Sequence, residues 1–139
     1  MLVCDTSGLL AYFDASDSWN RPVSAVIDAD PGPFVVSPYV VAELDHLVAT
    51  RRGVGPELAV LTELSGGAWE LPPIEAGDLV EICRLVDRYQ DQDIGVADAS
   101  LVVLAQRYRT ERLLTLDHRH FRVVRTAAGK PLTLVPGDR

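Results

Sequence analysis

Short, almost unbroken apolar runs separated by stretches of helical periodicity constrain this chain more than any other feature. Leu2-Val3-Cys4-Asp5, Phe34-Val35-Val36-Ser37, Leu113-Leu114-Thr115-Leu116 and Leu132-Thr133-Leu134-Val135 are the runs, with Trp69-Glu70-Leu71 as a weaker one. None shows the in-out alternation of a strand with one wet face. They read as strands buried on both sides. Between them, residues 7–13, 20–29, 38–52, 56–65, 75–89 and 95–109 carry helical patterns. Thr6 or Ser7 is the expected cap of the first helix, and Pro38 opens the third. Strands alternating with helices predict an α/β domain with a central parallel sheet covered by helices. At 139 residues the chain is expected to be a single domain over 1–139.

Parallel sheets collect ligands beyond the carboxyl ends of their strands. Asp5 closes the first strand and Asp117 follows the Leu113–Leu116 strand. Glu43 lies in the second turn of the helix after Val35-Val36, and Asp98 in the first turn of the helix near Gly95. By topology all four converge at one edge of the sheet. Alone, each acid has an ordinary reading: Asp5, Asp98 and Asp117 as caps, Glu43 as a solvated helix residue. Together they make a cluster whose repulsion a cation relieves. Oxygen ligands without cysteine or histidine partners suit Mg²⁺ or Mn²⁺. Asp93, five residues before Asp98, is either an outer member of the site or a cap.

The net charge of -7 excludes a general nucleic-acid coat protein. The charge is uneven, however. Arg107, Arg109, Arg112, Arg119, Arg122, Arg125 and Lys130 stand against only Glu111 and Asp117 in the segment they span. Arginine suits phosphate contacts, and Arg112, Arg119 and Arg122 are the expected RNA-binding residues. His118 and His120 are expected in the loop after Asp117. Cys4 and Cys83 are expected to be reduced packing residues. There is no apolar run long enough to cross a bilayer, and MLVCDTSG carries no export pattern, so a cytoplasmic location is expected.

Four blocks carry a resemblance: Val3-Cys4-Asp5-Thr6-Ser7, Ser37-Pro38-Tyr39-Val40-Val41-Ala42-Glu43-Leu44, Asp93-Ile94-Gly95-Val96-Ala97-Asp98-Ala99-Ser100-Leu101, and Leu114-Thr115-Leu116-Asp117-His118-Arg119-His120-Phe121. In this order and spacing they resemble the PIN-domain nucleases, in particular the VapC-type toxins of bacterial toxin–antitoxin pairs. The resemblance implies a Rossmann-like α/β/α fold and Mg²⁺- or Mn²⁺-dependent endoribonuclease activity. It implies that Asp5, Glu43, Asp98 and Asp117 are the catalytic and metal-holding acids. It also implies that the hydroxyls of Thr6 and Thr115 orient carboxylates or water. A VapB-type antitoxin, a homodimer and a tRNA or ribosomal RNA substrate are further implications. The competing expectation is a PIN-like module that grips RNA or a partner without cutting. No dinucleotide or P-loop motif is present, and Asp5-Thr6-Ser7 lacks the second acid of an aspartyl phosphotransferase.

Overall fold

A computed structural model describes residues 1–137. In chain order the elements are β1 (Leu2–Cys4), α1 (Thr6–Phe13), α2 (Asn20–Ala29), β2 (Phe34–Val36), α3 (Pro38–Arg52) and α4 (Val54–Ser65). There follow β3 (Trp69–Glu70), α5 (Ala76–Arg88), a 3₁₀ turn at Gln90–Gln92, and α6 (Val96–Arg107). The chain continues with β4 (Arg112–Leu114), α7 (His118–Phe121) and β5 (Thr133–Val135). All pairings are parallel, in the order β3-β2-β1-β4-β5. The expected parallel sheet flanked by helices is therefore present.

The sequence explains the elements locally. Ser37 caps α3 by accepting the Tyr39 N–H at 3.2 Å, and Pro38 occupies its first turn. Gly53 ends α3 at φ 88°, a left-handed value that a side chain would strain. Glu75 and Asp78 form a reciprocal capping box on α5. The apolar runs are buried as their composition demands: Leu2, Val3 and Cys4 are wholly inaccessible, as are Val35, Val36 and Leu114. Helix α6 is buried from Ala99 through Ala105 without a break, so every face is covered. It packs on β1, β4, α3 and α5.

Four local readings change. Asp5 caps α1, as its ordinary reading had it, and not Thr6 or Ser7. Helix α4 starts at Val54, earlier than the pattern suggested. A short helix, α7, replaces the loop expected at His118 and His120; a single turn is too short to show a period. Cys83 is exposed on α5, while Cys4 packs in the core as expected, and both are free. No helix among the described residues is long and apolar enough to cross a membrane.

The strand order fixes where a ligand fits. The chain moves outward from β1 to β2 and β3, then returns to place β4 on the other side of β1. The crevice of such a sheet opens at this reversal, past the carboxyl ends of β1 and β4.

Candidate active site

Asp5 stands one residue past β1, at that reversal, and is only 6% exposed. One carboxylate oxygen, Oδ1, accepts the Thr6 N–H at 2.7 Å. The other, Oδ2, accepts the Ser7 hydroxyl at 3.0 Å and the Thr115 hydroxyl at 2.8 Å. The same two hydroxyls then act as acceptors: Ser7 Oγ takes the Leu116 N–H and Thr115 Oγ1 the Asp117 N–H, each at 2.9 Å. The carboxylate is thereby tied to the turn that carries Asp117. Such reach requires α1 to sit hard against β4. Gly8 allows it, since a Cβ there would lie 2.8 Å from Leu114 Cγ and 3.0 Å from Leu114 O.

Asp98 is the third residue of α6 and half-buried, with the Gly95 backbone N–H as a hydrogen-bond donor. Asp117 caps α7 through the His120 N–H at 3.4 Å and pairs with His120 Nδ1 at 2.9 Å. Glu43 is exposed on α3.

The electrostatics connect these acids. Burial pushes Asp5 above the usual carboxylate range; its three hydrogen bonds oppose the shift, and the charge of Glu43 adds to it. Asp98 is likewise raised to about 6, chiefly by burial and also by the charges of Asp5 and Asp117, against the opposing His120 and Gly95 N–H. The site is thus a set of carboxylates that destabilise one another's charge, with His120 opposing this at Asp98.

The remaining candidates divide. Thr115 holds the carboxylate of Asp5 as expected of a neighbouring hydroxyl. Thr6 contributes its backbone N–H, whereas its hydroxyl is buried without a hydrogen-bond partner. Ser7 fills the role assigned to the Thr6 hydroxyl. Asp93 is exposed, with left-handed backbone (φ 58°), in the turn before α6. Arg119 and Arg122 are exposed on and just after α7, beside Asp117. Arg112 is not brought to the acids. It begins β4, at the opposite edge of the sheet, where its Nη2 lies 3.3 Å from Asp30 Oδ2. Its placement was readable, because a residue that precedes a parallel strand lies at the edge away from the ligand crevice.

The acids are linked by charge rather than closed into a cage: among the described residues, no three His, Cys, Asp or Glu side chains already form a metal-holding group. Their chemistry nonetheless fits a hard divalent ion. The donors are oxygens, and Asp5 has two oxygens with about four lone-pair sites, of which its three hydrogen bonds leave one free.

No family model matches the chain. It is 56% identical over 135 residues to Ribonuclease VapC26 of Mycobacterium tuberculosis, a match covering 97% of this chain and 100% of that protein. Its fold is similar to that of Mycobacterium tuberculosis VapC20, described as a sarcin-ricin loop cleaving toxin, at a TM-score of 0.79 and 16% identity over 86% of this chain and 92% of that one. A toxin–antitoxin complex from Klebsiella pneumoniae aligns at a TM-score of 0.70 and 19% identity, covering 89% and 92% of the two chains. FitAcB from Neisseria gonorrhoeae aligns at 0.63 and 21%, covering 87% and 91%. At these identities the solved structures speak for the fold, and the relative for the family: the chain belongs to the VapC ribonucleases, with the PIN fold.

Proposed function

We propose that this VapC ribonuclease, the toxin of a toxin–antitoxin pair, cleaves structured RNA at the Asp5, Glu43, Asp98 and Asp117 edge with the help of a Mg²⁺ ion, for which Mn²⁺ can substitute. The observation that carries the reading is Asp5: a carboxylate 6% exposed whose neighbouring charge, Glu43, is of its own sign. A buried charge without an opposite partner is costly. The cost is tolerated where a ligand supplies the missing charge.

A divalent ion in such a site activates a water and neutralises charge on the scissile phosphate. The protein's residues do the rest. Ser7, Thr115 and the Thr6 N–H hold Asp5 in one orientation, which removes rotational freedom from a ligand before the ion arrives. Asp98, raised to about 6, is mostly deprotonated at neutral pH and adds a second carboxylate. Glu43 on α3 and Asp117 in the turn after β4 would complete the set of carboxylates that hold the ion, which would relieve their mutual repulsion. Arg119 and Arg122 hold the RNA backbone beside the acids, and Asp93 supports the turn before Asp98. Thr6 holds Asp5 through its backbone N–H.

VapC20 is described as cleaving the sarcin-ricin loop, which supports a ribosomal RNA loop or a tRNA as the substrate here. The Klebsiella complex supports a VapB-type antitoxin as partner. We read residues 1–139 as one PIN domain, acting as a homodimer in the cytoplasm, where those RNAs are found.

The test is cleavage of purified total RNA by wild-type and Asp5→Ala protein in Mg²⁺, in Mn²⁺ and in EDTA, with the new ends sequenced. Discrete cuts that require metal and Asp5 support the reading and identify the target. Cutting that persists in EDTA or in Asp5→Ala overturns it.

A further inference from the structure

Two serines outside the network around Asp5 are fully buried: Ser37, which caps α3, and Ser100, on α6. Ser37 Oγ accepts the Tyr39 N–H at 3.2 Å and lies 2.7 Å from Ser100 Oγ. Ser100 Oγ donates to the Ala97 carbonyl at 2.6 Å. A hydroxyl carries one proton. That of Ser100 is committed to Ala97, so the proton in the contact between the serines belongs to Ser37. The direction is then fixed throughout: Tyr39 N–H to Ser37, Ser37 O–H to Ser100, Ser100 O–H to Ala97.

This polar chain joins helices through residues 63 apart in sequence, among the buried apolar side chains of the core. Its two ends lie on the helices that carry two of the acids. Glu43 follows Ser37 on α3, and Ala97 is the immediate neighbour of Asp98 on α6. Helices α3 and α6 pack directly, and Asp5 links the two acids: Glu43 acts on Asp5, and Asp5 on Asp98. We infer that the Ser37–Ser100 hydroxyl pair is a strut that sets the spacing of Glu43 and Asp98 across the cation site. The serines are positioning residues, not ligands. The inference rests on the cation reading given above.

The double variant Ser37→Ala/Ser100→Ala separates positioning from packing. Removing both hydroxyls leaves neither serine proton unanswered, so the remaining cost is the lost cap on the Tyr39 N–H and the lost donor to the Ala97 carbonyl. Its melting temperature should fall only by the loss of the Ser37 cap and the protein should stay folded, whereas Ser100→Ala alone keeps the cap but strands the proton of Ser37. Mn²⁺ affinity is then measured on metal-stripped protein by electron paramagnetic resonance of the free ion. The strut predicts about 10-fold weaker Mn²⁺ binding in the double variant, the scale of outer-shell losses at metal sites. Equal affinity in wild type and double variant overturns the strut and leaves the cation reading intact. A wild type that binds no Mn²⁺ overturns the cation reading, and the strut with it. Should the double variant fold poorly, Ser100→Cys keeps a weaker and longer sulfur donor in place. Intermediate affinity supports the strut, and wild-type affinity counts against it.

Discussion

Both edges of the parallel sheet bury an aspartate, and the two are treated oppositely. At the amino edge, Asp30 has a side chain 4% exposed. It pairs with the Met1 ammonium and with Arg112, and accepts the Gly32 N–H at 2.8 Å. Burial alone would raise Asp30, but these partners outweigh it and hold the carboxyl below its usual range. At the carboxyl edge Asp5 is buried too, and there burial wins: its hydrogen bonds come from neutral groups, and Glu43 repels it. One edge is electrostatically complete. The other is left with neighbours of one sign, which the proposed cation would answer. Residue type and burial do not separate a structural acid from a functional one; the sign of the neighbouring charge does.

Exchanging the two acids for their amides should break this comparison most visibly. Asp5→Asn is expected to lower RNA cleavage by at least ~100-fold, the scale lost when a group acting in the transition state is removed. Asp30→Asn should leave cleavage within about twofold and instead lower stability by about 1–2 kcal/mol, because Arg112 and the amino terminus are partly exposed and lose only part of their stabilisation. Cleavage rates and denaturant midpoints of the two proteins provide the check. A cleavage defect in Asp30→Asn would erase the distinction between the edges.

Gly8→Ala tests the close approach that lets α1 reach the carboxyl edge. A Cβ 2.8 Å from Leu114 Cγ forces movement, at a cost of about 1–3 kcal/mol. The melting temperature should fall and cleavage with it, as Ser7 and Thr115 separate. Unchanged melting would mean that Leu114 yields freely.

The pH dependence of the metal-free protein sharpens the contrast further. Asp98 is raised from 3.8 to about 6, so the native state holds its proton more tightly than the unfolded chain does. Between those values the native state binds more protons, and stability falls as pH rises. The loss is complete above about 6 and amounts to about 1–2 kcal/mol after allowance for partial exposure. Asp98→Asn should flatten this slope, and melt higher than wild type at neutral pH without metal while losing cleavage. Asp30, held low, acts with the opposite sign: its contribution is present at neutral pH and disappears in acid. Urea midpoints from pH 4 to 8 read both trends.

The smallest effect expected is at Thr6. Its hydroxyl has no hydrogen-bond partner, so Thr6→Val should change stability by about 0.5 kcal/mol or less. Thr115→Val breaks bonds to Asp5 and to the Asp117 N–H and should cost more, and cleavage with it. Parallel melting curves distinguish the two.

The parallel sheet was legible because doubly buried strands leave unbroken apolar runs, and the placing of the acids followed because topology sends strand ends to one edge. Other features depended on packing that sequence periods do not encode. Thr6 and Ser7 are both hydroxyls beside Asp5, and only the seating of α1 on β4, permitted by Gly8, decides that Ser7 faces the carboxylate. The Ser37–Ser100 link joins segments 63 residues apart, a distance across which no local pattern reports. The basic stretch misled for a different reason. Counting Arg112 with Arg119 and Arg122 ignored that β4 lies between them and carries them to opposite edges.

The most direct measurement is a Mg²⁺ titration of melting temperature on metal-stripped wild type and Asp98→Asn. Binding to the native state stabilises it in proportion to the logarithm of ligand excess. A wild type whose melting temperature climbs with Mg²⁺ until it overtakes an unresponsive Asp98→Asn is the predicted result. A wild type indifferent to Mg²⁺, or a variant that responds equally, would contradict the claim that the carboxyl edge is completed by a cation.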